Sequence, residues 1–276
     1  PNTARSLNSL GGLLLITGDY EGARSYHERA LVINEKVLGA EHPDTAHSLN
    51  YLGGLLQMTG DFTAAKSYYE RALAAAEKVQ GAEDLSTVTS LNNLGLLLQT
   101  TGNYQAAKSY YKRALAITEK VLGAEHLGTA ASLNNLGFLH QTTSNYETAR
   151  LYLERALAIN EKVLGMEHPN TATTLNNLGG LLQTTGNYEA AKSYYERALT
   201  ICEKVLGAWH PHTATSVSNI GLVLQDIGEY ATAKHFLERA LAIREKVLGT
   251  EHQDTAKSLS YLGALLQATG DYPHAI

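Results

Sequence analysis

SLNNLGLLLQTTGNYQAAKSYYKRALAITEKVLG, residues 90–123, decides the fold, because the rest of the chain repeats it with small edits at a spacing of 42 residues. Its Leu94-Gly95 pair returns as Leu10-Gly11, Leu52-Gly53, Leu136-Gly137, Leu178-Gly179 and Leu262-Gly263, with Ile220-Gly221 as the variant. Self-similarity at such a period marks an array of units, each of which buries its apolar face by stacking on its neighbours.

The stretch predicts two helices. Leu91, Leu94, Gly95 and Leu98 fall at i, i+3, i+4 and i+7, one apolar stripe at the α period, while Thr89, Asn92, Asn93, Leu96, Gln99 and Thr100 share the opposite side. Gly102 breaks this helix and Asn103 is suited to cap the next. The second helix begins at Tyr104 and puts Ala107, Tyr111, Ala114, Leu115 and Ile117 on its inner face. It runs to Gly123, where a left-handed residue is wanted just past the helix end. The unit is a helical hairpin.

Leu94-Gly95, Gly102, Tyr104, Ala107, Tyr111 and Ala114-Leu115 resemble the tetratricopeptide repeat signature, with Leu91 where that family often has Trp. The longer period, with Leu-Asn-Asn-Leu-Gly, Arg-Ala-Leu-Ala-Ile-Thr-Glu-Lys-Val-Leu-Gly and His-Pro-Asp-Thr-Ala, is most similar to the kinesin-light-chain type of the repeat, which also occurs in many bacterial proteins. The resemblance covers the whole chain as repeats of about 1–42, 43–84, 85–126, 127–168, 169–210 and 211–252, with a partial seventh at 253–276. It implies an all-α fold, a right-handed α-solenoid of stacked antiparallel helix-turn-helix repeats, forming a single solenoid over 1–276. In the related family the first helices line the concave side. Fold and activity are separable, and such repeats serve many partners, so the partner and any motor-associated role stay open.

The formal net charge is −5, from 22 Lys and Arg against 27 Asp and Glu, and no basic run could neutralise several phosphates. Nucleic acid and anionic membranes are therefore not expected partners. Apolar runs such as residues 13–16 fall far short of the roughly 18 residues that span a bilayer, and no signal segment opens the chain. Cys202 is the single cysteine, which excludes an intrachain disulfide and fits a reducing compartment; a cytoplasmic location is expected. The chain opens at Pro1 in a turn before a first helix and stops at Ile276 one turn into a second helix, as expected of cuts through a longer array.

Departures from the period are informative. Leu15 and Ile16 stand where most repeats carry Gln and a polar residue, either to pack against an upstream repeat or to form an apolar end of a groove. Tyr51 and Met58 continue that character. Ala75 replaces Ile, and the turn at Leu85 has lost its His-Pro pair, which with Gln80 predicts a soft junction. First helices at 88–101, 130–143 and 172–185 carry no charge, whereas second helices carry i, i+4 pairs such as Lys66/Glu70, Arg150/Glu154, Lys192/Glu196 and Lys234/Glu238.

The candidate site is an amide ladder. Asn8, Asn50, Asn92, Asn134 and Asn176 occupy one column, Asn93, Asn135, Asn177 and Asn219 the next, and Gln57, Gln99, Gln141, Gln183, Gln225 and Gln267 a third. Amides offer donors and acceptors to the backbone of an extended peptide without reading its side chains. The alternative is that they bond one another and fix repeat register. At about 0.5–1.5 kcal/mol net per hydrogen bond such a ladder binds weakly, so specificity needs anchors, among them Tyr51, Leu96 and Phe138. The expected partner is an unidentified protein or peptide, and end-to-end self-association of a spacer module is the alternative. Five histidines, His42, His126, His168, His210 and His252, are at least a repeat apart, on the order of 10 Å, so one ion cannot join them. They are expected to start first helices. His210 and His212 form the one close pair. No metal, no cofactor and no enzyme constellation is expected.

Overall fold

The computed structural model describes residues 2–270. Among them are thirteen helices and no strand: α1 (Asn2–Ile16), α2 (Tyr20–Leu38), α3 (Pro43–Met58), α4 (Phe62–Gln80), α5 (Ser86–Thr100), α6 (Tyr104–Leu122), α7 (Leu127–Thr142), α8 (Tyr146–Leu164), α9 (Pro169–Thr184), α10 (Tyr188–Leu206), α11 (Pro211–Asp226), α12 (Tyr230–Leu248) and α13 (Gln253–Ala268). The expected opening of a further second helix at the end of the chain lies outside the described residues, as does the Gln80 side chain.

Local chemistry sets the boundaries. Second helices begin where Asp19, Asp61 or Asn103 accepts a backbone N–H three residues on, at 2.9, 3.0 and 3.3 Å. They end at glycines with φ of 89–99° and ψ of 155–165°. This corrects the expected left-handed residue at Gly123: its φ 99, ψ 161 lie in the extended positive-φ region that essentially only glycine reaches. The histidine column caps first helices. Nδ1 of His42, His126, His168, His210 and His252 accepts the N–H of Asp44, Gly128, Asn170, His212 and Asp254 at 3.0–3.1 Å. Asp84 replaces histidine before α5 and accepts from Ser86 N at 2.8 Å, so the lost His-Pro pair still leaves a capped start.

The chain forms two compact units, Pro1–Leu139 and His140–Ile276. In the first, Leu31 of α2, Leu49 and Leu52 of α3, and Ala72 and Ala75 of α4 form one cluster. Leu56, Tyr69, Leu91, Leu94, Leu97, Ala114 and Ile117 form the next, across α3 to α6. In the second unit Leu153, Leu175, Leu178, Leu181 and Ile201 link α8, α9 and α10, and Tyr195, Ile220, Val223, Leu237 and Leu265 link α10 to α13. Within these clusters a first helix is wedged between its own second helix and the preceding one. At about 1.5–3 kcal/mol per fully buried large apolar side chain, these shared layers bind repeat to repeat. Ala23, Ala65, Ala107, Ala149, Ala191 and Ala233 are fully buried, as is the column Ala30, Ala72, Ala114, Ala156, Ala198 and Ala240. Only a small side chain fits there.

The ion pairs on second helices differ from the expectation of pairs within each helix. Lys66–Glu70 (3.7 Å) and Arg150–Glu154 (2.7 Å) are of that kind. Others run between consecutive second helices: Arg71–Glu35 at 2.7 Å and Arg113–Glu77 at 2.6 Å in the first unit, Arg197–Glu161 at 2.5 Å and Arg239–Glu203 in the second. Lysines reach back to the inter-repeat turns, as in Lys78–Glu41, Lys120–Glu83 and Lys204–Glu167. At the next position Trp209 replaces the glutamate, and Lys246 sits 3.7 Å from its ring centroid, a cation–π contact in place of an ion pair.

Candidate functional site

The first helices carry the candidate residues, and a tyrosine from the second helix explains their glycine. A Cβ built on Gly53 would lie 2.5 Å from the ring of Tyr69, and one on Gly179 equally close to Tyr195; Gly95 meets Tyr111 in the same way. The ring packs closely on the bare backbone, and its hydroxyl donates to a glutamine of the same hairpin: Tyr69 to Gln57 at 3.2 Å, Tyr111 to Gln99 at 3.4 Å, Tyr195 to Gln183 at 2.9 Å. Burial holds the Tyr69 hydroxyl up at about 12 and pushes Tyr111 and Tyr195 higher still, so all three act as neutral donors. In repeat one His27 takes the tyrosine position, donates from Nδ1 to Asn8 Oδ1 over 3.0 Å, and stacks on Tyr51 at 5.3 Å. Where Leu237 replaces the tyrosine, Gln225 Oε1 is left buried without a partner.

The glutamine column therefore differs from the expected open face. Gln99 is buried. Gln141 Nε2 donates to Thr184 at 3.2 Å and Gln183 Nε2 to Asp226 at 2.6 Å, so these amides tie hairpins and neighbouring repeats together.

The asparagines form inter-repeat bonds in each unit. Asn8 Nδ2 donates to Ser48 Oγ and Asn50 Nδ2 to Ser90 Oγ, both at 3.0 Å, and Asn93 donates to Asn50 Oδ1 at 3.1 Å. In the second unit Asn176 donates to Ser216 at 2.9 Å and receives from Asn219 at 3.1 Å. These bonds are the register-fixing use. Asn134 donates to the carbonyl of Ala130 within its own helix at 3.2 Å. The rung between Asn92 and Asn135 is not formed: Asn92 Oδ1 is buried without a partner, and Asn135, half-buried, makes no hydrogen bond among the described residues. Asn177 is likewise half-buried.

Beside the amides of the first unit stands a row of exposed apolar side chains, Tyr51 and Met58 on α3, Leu96 on α5 and Phe138 on α7. Their positions within each repeat are those of one helical face. Gly54 lies between Tyr51 and Met58, and a Cβ there would meet nothing closer than the Tyr69 hydroxyl at 3.6 Å. Among the described residues no three His, Cys, Asp or Glu come together as metal ligands, and no helix is long and apolar enough to cross a membrane. Burial raises the Cys202 thiol, which suits a packing residue rather than a nucleophile.

Repeated hairpins with a glycine–tyrosine contact and a histidine-capped start define a tetratricopeptide array, and the chain belongs to the tetratricopeptide repeat family: that family's profile matches residues 2–78, 86–162, 152–204, 170–246 and 212–276. Repeats of this family generally mediate protein–protein interaction. Among solved structures, the Podosopora anserina putative kinesin light chain with nearly identical TPR-like repeats is 28% identical, with 72% of this chain and 95% of that chain covered and a TM-score of 0.59. BtubC (BKLC) from P. vanneervenii is 23% identical over 85% of this chain and 94% of that one, with a TM-score of 0.66. The apo form of RapI, 19% identical over 99% of this chain and 93% of its own, has a TM-score of 0.70. A search of curated protein sequences gives no match.

Proposed function

We propose that this chain is a non-catalytic interaction scaffold that binds an extended segment of a partner protein along its first-helix face. The row Tyr51, Met58, Leu96 and Phe138 carries the reading, because large apolar side chains left exposed on one face beside uncharged amides are what an apolar, hydrogen-bonding ligand covers. Asn93 and Asn135 supply the remaining capacity: Asn93 spends one N–H on Asn50, and Asn135 keeps its whole amide. Charge is absent from residues 88–101, 130–143 and 172–185, as suits a surface that pairs with backbone, since a desolvated charge would need its own partner. Asn92 and Asn134 support the proposed surface in the first unit, and Asn176, Asn177, Asn219, Gln141, Gln183 and Gln225 occupy the equivalent face of the second.

The test uses peptides selected on the parent chain from a random-sequence display library, followed by calorimetric titration. Asn135→Ala is expected to leave the melt unchanged and to weaken binding; with Phe138→Ala the loss reaches at least tenfold, about 1.4 kcal/mol. Asn50→Ala is expected to lower stability instead, because it breaks bonds to Ser90 and Asn93. Failure to select any peptide, or equal affinity of the double variant and the parent, overturns the reading. End-to-end stacking is the second reading, favoured by exposed Leu10 and Leu13 of α1, whose equivalents Leu52 and Leu55 are buried. A concentration series by light scattering separates the two: stacking gives growing oligomers.

A further inference from the structure

In the first unit the first helices repeat a two-part pattern. Asn93 on α5 precedes Leu96 by three residues and Asn135 on α7 precedes Phe138 by three, so each amide stands one helical turn from an apolar side chain on the same face. On α3 the same two positions hold Tyr51 and Gly54. Bare backbone at Gly54 leaves a shallow gap between Tyr51 and Met58, because a Cβ there would meet only the Tyr69 hydroxyl, at 3.6 Å. Tyr51, Met58, Leu96 and Phe138 are each 45–50% exposed. Neighbouring first helices stand side by side, as the 3.1 Å bond from Asn93 to Asn50 requires. Packed helices lie about 8–10 Å apart, so the face offers a ligand one apolar contact and one amide at each such step.

That spacing selects among ligand backbones. In a β-strand the side chains of one face recur every two residues, about 6.4–6.8 Å, so a strand falls out of step by the second repeat. An α-helix returns a side chain to one face after two turns, about 10.8 Å, but its backbone groups bond one another and leave nothing for Asn93 and Asn135 to pair with. A polyproline II segment has three residues per turn, rises about 9.3 Å per turn and has no internal hydrogen bond. Every third side chain then meets the next first helix, and its carbonyls stay open to the amides. Prolines suit such donors, since they present C=O without N–H. Asn93 keeps one N–H beyond its bond to Asn50, and Asn135 makes no hydrogen bond among the described residues. Charge agrees. Residues 88–101 and 130–139 hold no Asp, Glu, Lys or Arg, and towards the start of the array Arg5 and Asp44 neutralise each other at 3.1 Å, so a neutral segment matches the face. A preformed polyproline helix also loses little freedom on binding, which matters where few hydrogen bonds form.

We infer that the first-helix face of the first unit takes a proline-rich segment in the polyproline II conformation with an apolar side chain at every third position, one in the gap between Tyr51 and Met58, the next against Leu96 and the third against Phe138. The inference rests on the peptide-binding reading of the same face and names its ligand class. Fluorescence anisotropy of labelled, terminally blocked nonapeptides tests it. The probe is LPPLPPLPP, whose three leucines share one face. PPPLLLPPP has the same composition with its leucines on three faces, and LTVLTVLTV keeps the leucine spacing in a strand-forming sequence. The parent chain is expected to bind LPPLPPLPP about tenfold tighter than either control. Phe138→Ala should weaken that binding about fivefold or more, and so should Gly54→Leu, which fills the gap with the residue found at position 96. A thermal melt of Gly54→Leu no lower than the parent's assigns its loss to the face rather than to unfolding. Equal affinity for LPPLPPLPP and either control, or full affinity in both variants, overturns the inference. Library-selected peptides that bind while LPPLPPLPP does not overturn the polyproline ligand and leave the groove standing. Absence of binding by both overturns the groove as well.

Discussion

Gly53 and Gly54 are the same residue type, one helical position apart on α3, yet alanine should act on them with opposite sign. Replacing a mid-helix glycine by alanine gains about 0.8–1.0 kcal/mol of helix propensity at either place. At Gly54 nothing opposes this gain, since the new Cβ meets only the Tyr69 hydroxyl at 3.6 Å, an ordinary contact. At Gly53 the Cβ would lie 2.5 Å from Tyr69 Cε1, 2.6 Å from Cδ1 and 3.0 Å from Cζ. Tyr69 cannot swing clear: it is 3% exposed, packed among Leu56, Ala65 and Leu94, and tethered to Gln57. Overpacking of a rigid ring against backbone costs about 1–3 kcal/mol, which outweighs the propensity gain. Gly53→Ala should therefore lower stability by about 0.5–2 kcal/mol, and Gly54→Ala should raise it by about 0.5–1 kcal/mol. Urea denaturation monitored by circular dichroism reads both, compared by midpoint because a repeat array need not unfold in one step. The same pair recurs at Gly179 and Gly180 against Tyr195. Stabilisation by Gly53→Ala, or equal shifts for the two variants, would refute the glycine–tyrosine contact as the reason for the glycine.

Ala107→Leu and Ala191→Leu should each cost about 1–3 kcal/mol, because both alanines are fully buried; unchanged midpoints in urea would contradict the packing. Amide exchange should be faster around Ala75 and Leu85 than around Ala156 and Ile159, since Ala75 stands where other repeats carry Ile and fills less of the junction; uniform protection by mass spectrometry would count against a soft junction. Burial lowers the pKa of His27, and burial together with the smaller effect of His212 lowers that of His210. In the native state both histidines bind protons less readily than in the unfolded chain. Their contribution is complete above the unfolded value of about 6.5 and is lost as the pH falls below it. Stability should thus decline from about pH 7.5 to about pH 5.5, and His27→Phe, whose ring suits the apolar Leu15 that replaces Gln57's equivalent, should flatten part of the decline; identical pH profiles would refute the role of His27.

The sequence by itself determined the period, the two helices per unit, their caps and the small residues of the interface, because each is a local matter. Asn103 caps the helix that begins at Tyr104, Gly123 ends it, and Ala107 recurs wherever helices must approach. That His42-Pro43-Asp44 starts a first helix was legible too, since it combines a fixed φ with a carboxylate at the helix start, whereas the bond from the Asp44 N–H to His42 Nδ1 came from the structure. Tertiary structure alone decided which amides stay open. Asn50 and Asn93 are 43 residues apart and meet because stacking brings successive first helices side by side, while Gln99 turns inward to a tyrosine twelve residues on. The periodicity places Asn92 and Asn135 on that same ladder, yet only the packed helices show the rung unformed. Arg244 looks in sequence like any charged residue of a second helix. Its burial between Ser218 and Ser258 depends on how three helices meet.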